Sequence, residues 1–515
     1  MNAARRIALA LLLVASTARA ADIDSGRHEG VREQGLTVYK GVPFAAPPVG
    51  DLRWRPPRPV RPWPGVREAK TFAPACMQSG VSMPGETPPA TSEDCLYLNV
   101  WTPANAGAQL PVLVWIYGGG FANGSASMAL YWGDRLAKRG VVVVTVAYRV
   151  GAFGFLAHPE LTRESPERTS GNYGLRDQIA ALEWVKRNIG AFGGDPSRVT
   201  IAGQSAGAMS VSILMASPAA RGLFHRAIGQ SGGFFEPVQL APSYLLANAE
   251  RDGESYAASL GATTLAALRT LPAADLMTGE MPSGPHPVIE PRTLPAPPFD
   301  AFAAGAQHDV PVLLGLNAEE ARALIDLRQV QAATFAADIE KRFGKLPPPL
   351  LAAYPFASDD EARRARLDFE TDLRFGWDMW AWTRLQTTTG RSPVYAYRFE
   401  QEPPFPSDGP HAGWGASHFA ELWYTSDHLD QERWPWTTQD RALADAMASY
   451  WTNFVKTGNP NDDRLPDWPA FRDDTGPLLR LKGAIAPGAV DRLIALRVFD
   501  AVYSQLRGAP FPARR

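Results

Sequence analysis

Three short apolar runs constrain the fold more than any other feature of this chain. Residues 111–117 (PVLVWIY) and 141–148 (VVVVTVAY) carry no charge and are rich in Val and Ile, and 199–203 (VTIAG) is a shorter run of the same kind. Such unbroken runs fit strands covered on both faces, as in a sheet with helices on either side. Between the second and third runs, Leu175, Ile179, Leu182, Val185 and Ile189 recur at steps of 4, 3, 3 and 4, one apolar face of a helix. Lys186 and Arg187 fall in its last turn, and Gly190 follows as a stop. Strand, helix and strand in succession predict an α/β fold with a central, mostly parallel sheet flanked by helices.

At 515 residues the chain can bury one large core and carry a further subdomain on it. Lys+Arg is 51 against Asp+Glu 53, so the basic surplus expected of a nucleic-acid binder is missing. The pattern changes after about residue 237. Pro-rich segments at 282–298, 347–349 and 403–410 enclose polar, helix-compatible stretches such as 359–374. This predicts a mostly helical subdomain around 320–410 over the sheet, inside a single domain spanning 21–515. Residues 440–456 are expected to form a helix that returns to the core.

The first twenty residues read as a signal peptide. Arg5 and Arg6 precede an apolar run at 7–18, and Ala18-Arg19-Ala20 is a small-residue cleavage site. No later run reaches the roughly 18 apolar residues of a membrane span. The mature protein is therefore expected to be exported, periplasmic or secreted, without stable membrane insertion. Cys76 and Cys95 are the only cysteines. An even pair in an exported chain most simply forms one disulfide, two free thiols being the alternative. The bridge would close a loop of about twenty residues and contribute roughly 3 kcal/mol.

The strongest chemical signal follows the third run. Gly203-Gln204-Ser205-Ala206-Gly207 sits between that strand and a helix-compatible stretch at 208–216. In this setting G-x-S-x-G reads as a nucleophile elbow, a strained turn that only small residues allow and that lifts Ser205 Oγ out at the end of the sheet. A serine nucleophile needs donors for the developing oxyanion. Gly118-Gly119-Gly120 follows directly on the first run, and consecutive glycines let backbone N–H groups approach a substrate oxygen. The expected donors are the N–H groups of Gly119, Gly120 and Ala206.

Longer segments narrow the reading. Residues 192–207 (FGGDPSRVTIAGQSAG) resemble the serine-active-site signature of the type-B carboxylesterase family, which includes the cholinesterases, and 92–100 (SEDCLYLNV) is similar to that family's second signature. Residues 41–57 and 171–194 also resemble it, and the likeness runs from about residue 25 to the C terminus. It implies an α/β-hydrolase fold, a Ser-Glu-His triad and a disulfide equivalent to Cys76–Cys95. The segment 315–321 (GLNAEEA) resembles the family's acid motif G-x-N-x-D-E-G, which makes Glu320 the acid, places Glu319 in the Asp position and leaves Ala321 where Gly is usual. The segment 415–424 (GASHFAELWY) resembles the histidine loop and selects His418, with Phe419 in place of a common Gly. His411 and His428 lack that context. Ser231 matches a family serine near the triad acid.

The resemblance implies hydrolysis of neutral or anionic carboxylic esters through an acyl-enzyme, with the ester and water as partners and no metal or cofactor. Specialised members acting on polyesters, fumonisin-type mycotoxin esters or amides share the triad, and non-catalytic binding members lack the serine. Choline esters are expected to be poor substrates. The segment 77–94 contains no aromatic residue for a cation–π contact, and Gln204 stands where many members have Glu. Phe375 and Phe419 are candidates for contact with substrate.

Overall fold

The Val-rich runs form the middle of one large sheet. The computed structural model describes residues 20–80, 87, 89–104, 107 and 109–513, so the expected signal peptide, Ala20 apart, lies outside the described residues. Eleven strands make the sheet: β1 Val31–Glu33, β2 Leu36–Pro43, β3 Tyr97–Pro103, β4 Leu110–Ile116, β5 Val142–Val146, β6 Gly194–Gln204, β7 Arg226–Gln230, β8 Val312–Asn317, β9 Val394–Phe399, β10 Leu478–Leu481 and β11 Ala486–Gly488. Their spatial order is β11-β10-β9-β8-β7-β6-β4-β5-β3-β2-β1. From β10 through to β5 every neighbouring pair is parallel, and antiparallel pairs close both edges. Every residue of β5 is buried, as is β4 beyond its first residue. Both faces of these strands are covered, which is why their sequences do not alternate.

Helix α1, Tyr173–Asn188, buries the apolar face read from its spacing. It tightens into a 3-10 turn at Ile189–Phe192, and the left-handed Gly193 (φ 83°) ends it, three residues beyond the expected stop at Gly190. Helix α2, Ala206–Ala216, starts directly after Ser205. Within 320–410, helices occur at Phe335–Phe343, Pro348–Ala352, Asp359–Thr371 (α3) and Trp377–Thr389 (α4). Helical structure stops at Thr389, because β9 follows and pairs in parallel with β8 and β10 within the sheet. Helix α5 spans Thr438–Thr457, with Thr437 and Asp440 forming a reciprocal cap at its start. Cys76 and Cys95 are joined in a disulfide. Among the described residues no helix is long and apolar enough to cross a membrane.

This topology gathers loops at one edge. The glycine run follows β4, Ser205 follows β6, Ser231 follows β7, Glu320 follows β8, and the loop bearing His418 comes after β9. Open parallel sheets bind ligands at the carboxyl ends of their strands.

Candidate active site

Backbone sterics account for the turn at Ser205. Its φ is 57° and ψ is −128°, a conformation that non-glycine residues hold at a cost of order 1–3 kcal/mol. Side chains at the flanking positions would collide with backbone. A Cβ on Gly203 would lie 2.4 Å from the Gly207 carbonyl carbon, and one on Gly207 would lie 2.1 Å from the Ile116 oxygen. The Ser205 N–H donates to the Gln230 carbonyl at 2.9 Å, so the turn is tied to the end of β7.

His418 and Glu320 meet although they are 98 residues apart in sequence. His418 Nδ1 is 2.6 Å from Glu320 Oε2, and the His418 N–H donates to the Glu320 carbonyl at 3.2 Å. Glu320 is fully buried, and its other oxygen, Oε1, accepts the Asn317 N–H at 2.6 Å. A carboxylate held this way fixes the imidazole in the tautomer whose free Nε2 can accept a proton. That nitrogen lies 3.3 Å from Gln204 Nε2, and the Ser205 hydroxyl makes no hydrogen bond within the described residues. Hydrogen bonds of this kind tighten when substrate is in place. Glu319 points elsewhere: its carboxylate pairs with Arg322 at 2.6 Å and Arg364 at 3.1 Å.

The glycine run passes close to the serine. A Cβ on Gly118 would sit 2.9 Å from Ser205 Cβ, so only glycine permits the approach. Gly119 and Gly120 have φ of 110° and 61°, in the region that favours glycine. Among the described residues, the N–H groups of Gly119, Gly120 and Ala206 have no hydrogen-bond acceptor. Ser231 also has a positive φ, 54°, and its N–H donates to the Gly315 carbonyl at 2.8 Å, linking the ends of β7 and β8.

Two aromatic rings flank the imidazole. Phe375 stacks on His418 with centroids 4.5 Å apart, and Phe419 meets its edge at 4.4 Å. Phe375 lies in a π-helical turn, Asp372–Gly376, between α3 and α4, and turns of this kind recur at functional sites. Phe419 has φ 74°, a strained value where glycine would be relaxed. A cavity of about 690 Å³ begins at Gly120 and Phe121, is walled by Met209, Phe234 and Tyr244, and reaches Arg251 and His286.

His411 and His428 are held by other partners. His411 packs among Phe405, Trp414, Trp423 and Trp434. His428 bonds Leu130 O at 3.1 Å and Asp134 Oδ1 at 2.9 Å. Sequence reasoning missed Asn317, Gln230 and Glu421, all fully buried behind the serine, acid and histidine. The available signal was position: Asn317 is three residues before Glu320, Gln230 directly precedes Ser231, and Glu421 is three residues after His418.

Known proteins resemble this chain over most of its length. The model of the carboxylesterase family matches residues 18–489. Fumonisin B1 esterase of Sphingopyxis macrogoltabida is 38% identical over 467 residues, covering 87% of this chain and 83% of its own. Para-nitrobenzyl esterase of Bacillus subtilis is 35% identical, covering 89% of this chain and 94% of its own. A solved para-nitrobenzyl esterase structure superposes with a TM-score of 0.78 at 33% identity, over 93% of this chain and all of that one. With a family match over nearly its whole length and esterase relatives that cover most of it, this chain belongs to the carboxylesterase family of α/β-hydrolases and is a hydrolase of ester substrates.

Proposed function

We propose that Ser205, His418 and Glu320 are the catalytic triad of this esterase and that Gly119, Gly120 and Ala206 form its oxyanion hole. The observation that carries the reading is the buried 2.6 Å contact between His418 Nδ1 and Glu320 Oε2, beside a serine held at positive φ. In the first step His418 Nε2 takes the hydroxyl proton while Ser205 Oγ bonds to the ester carbonyl carbon. The tetrahedral oxyanion accepts from the three backbone N–H groups, which have no acceptor among the described residues. Glu320 keeps the proton on Nδ1 and stabilises the imidazolium. Collapse breaks the bond to the alcohol, which leaves with the proton from Nε2. Water then repeats the sequence on the acyl-enzyme and releases the acid. Ser231 supports the site through the β7–β8 connection.

The substrates are neutral or anionic esters with small to medium acyl groups. The cavity beside Gly120, with Phe121, Met209 and Phe234 near the serine and polar groups such as Asn248 and Arg251 farther out, supports this, and the absence of aromatic residues from 77–94 disfavours a choline head group. The relatives are named for unlike esters, so the shared chemistry is at the carbonyl and the choice of ester lies in the loops. Export to the periplasm or medium is supported by the leader-like residues 1–20 and by the disulfide, which persists in oxidising compartments.

Ser205→Ala is expected to fold like wild type and to lose at least roughly 10³-fold in turnover of p-nitrophenyl butyrate. His418→Ala should fall by a similar factor. Wild-type turnover in the folded serine variant would remove Ser205 from the mechanism.

A further inference from the structure

Three loops carry the triad, and each depends on hydrogen bonds from one buried carboxyl that has no place in the proton transfers. Glu421 is fully buried. Its Oε1 accepts Gln230 Nε2–H at 3.2 Å, and its Oε2 accepts Asn317 Nδ2–H at 2.5 Å. Gln230 is the residue whose carbonyl receives the Ser205 N–H, and its side-chain oxygen accepts Trp451 Nε1–H from α5 at 2.9 Å. Asn317 gives its backbone N–H to Glu320 Oε1, and its side-chain amide also donates to the Ser417 carbonyl at 2.7 Å, next to His418. The bonds therefore run from the nucleophile turn through Gln230 to Glu421, and from there through Asn317 to both the acid and the histidine loop.

We propose that Glu421 is a positioning residue of the esterase: it braces Asn317 and Gln230, and through them sets the relative placement of Ser205, Glu320 and His418. The inference rests on the triad assigned above.

The brace is also a second carboxyl beside the first. Glu421 faces Glu320 across Asn317, His418 on its own segment, Tyr397 from β9, and the uncharged Gln230 and Trp451 from β7 and α5. Burial, and after it the charge of Glu320, push the Glu421 carboxyl up to about 7, against the opposing pull of the Asn317 hydrogen bond and of His418. Below neutral pH the protonated carboxyl carries an O–H on one of the two oxygens that accept from Gln230 and Asn317. Above it Glu421 ionises, and both oxygens accept, which suits the two amide donors. The ionisation of Glu421 should therefore appear in the wild-type dependence of kcat/KM on pH, with the braced form gaining above neutrality.

The test compares wild type, Glu421→Gln and Glu421→Ala on p-nitrophenyl butyrate, with folding followed by circular dichroism. The alanine variant should lose between about 10- and 100-fold in kcat through misplacement of the triad, with partial rescue in the glutamine variant. In the glutamine variant the Glu421 ionisation is gone, so that its kcat/KM relative to wild type changes several-fold between pH 6 and pH 8. Wild-type kcat in folded Glu421→Ala, or a pH profile of Glu421→Gln parallel to wild type, would overturn the proposal. If neither variant folds, the wild-type profile decides, since a kcat/KM that stays flat between pH 6 and pH 8 is incompatible with a brace that ionises there. Ser205→Ala separates the two readings. Full activity there would overturn the triad itself, whereas an inactive Ser205→Ala with no pH signature at Glu421 overturns only the brace.

Discussion

The eight histidines of this chain differ in what each ring nitrogen meets. His418 has a buried carboxylate on Nδ1, and its Nε2 meets only the amide of Gln204, the residue before Ser205, at 3.3 Å among the described residues. His428 has both nitrogens engaged, one by the Leu130 carbonyl and one by Asp134, so no lone pair is left for a substrate proton. His428→Ala is therefore expected to leave kcat on p-nitrophenyl butyrate within about twofold of wild type, while leaving the buried Leu130 carbonyl unmatched at a cost of about 1–3 kcal/mol. Thermal unfolding and steady-state rates on the same sample check this, and a loss of rate without loss of stability would contradict it. At this scale the sequence was informative where backbone geometry restricts residue type. Gly203 and Gly207 flank Ser205 because any Cβ there meets backbone, and the restriction survives as a readable pentapeptide. Glu421 was not readable. Its partners Gln230 and Asn317 lie 191 and 104 residues away, and a glutamate three residues beyond a histidine is equally an ordinary helical acid until the fold brings those amides to it.

Among the elements, β4 and β5 were legible because both faces are covered, which forces continuous apolar sequence. β9 (VYAYRF) is equally buried but was absorbed into an expected helical region. Its Arg398 breaks the apolar run, and that arginine is paired with Asp491 at 3.1 Å near the C-terminal end of the sheet, a contact invisible from local pattern. The strand follows α4 after the short connection Gly390-Arg391-Ser392-Pro393, whose Gly and Pro mark the boundary that the expected helical region passed over. The π-helical turn at Phe375 was hidden because an extra residue in a helical turn changes where a side chain points without changing helical composition. The disulfide belongs to this scale too. It ties the short strand Ala75–Cys76 to the residues that lead into β3, across a sequence separation of 19. Reduction should lower the melting temperature, because the released loop gains freedom chiefly in the unfolded chain, a change worth roughly 3 kcal/mol. Unfolding scans with and without reductant test this, and superimposable scans of a sample shown to be fully reduced would refute it.

Across the whole molecule, burial sets two groups of titrating residues against each other. Burial holds His28, His158, His225, His286, His308 and His411 below the ordinary histidine range. It holds Asp177, Glu236, Asp378 and Glu421 above the ordinary carboxyl range. A histidine with a depressed folded pKa binds more protons when unfolded, so its contribution to stability is complete at neutral pH and declines as pH falls below the unfolded value. A carboxyl with a raised folded pKa does the reverse and favours the folded state at low pH. The two sets oppose each other as pH changes, so the wild-type stability curve is their sum, and a single substitution is needed to resolve one contributor. His28 is the best placed. It lies on the strand Gly26–Glu29 of a small three-stranded sheet, 1% exposed, with its ring 5.0 Å from that of Trp63. Burial first, and the nearby Arg67 charge second, bring its pKa down from 6.5 to about 4. Its contribution should therefore be lost progressively as pH falls from about 6.5 to about 4, by an amount on the order of 3 kcal/mol. His28→Gln removes that titration. The variant is expected to be less stable than wild type at pH 7.5, where the buried ring packs uncharged, and to close or reverse the gap by pH 4.5. Denaturant unfolding of both proteins at pH 7.5, 5.5 and 4.5 reads the difference directly, and a gap that stays constant across the three would show that His28 does not titrate in this window.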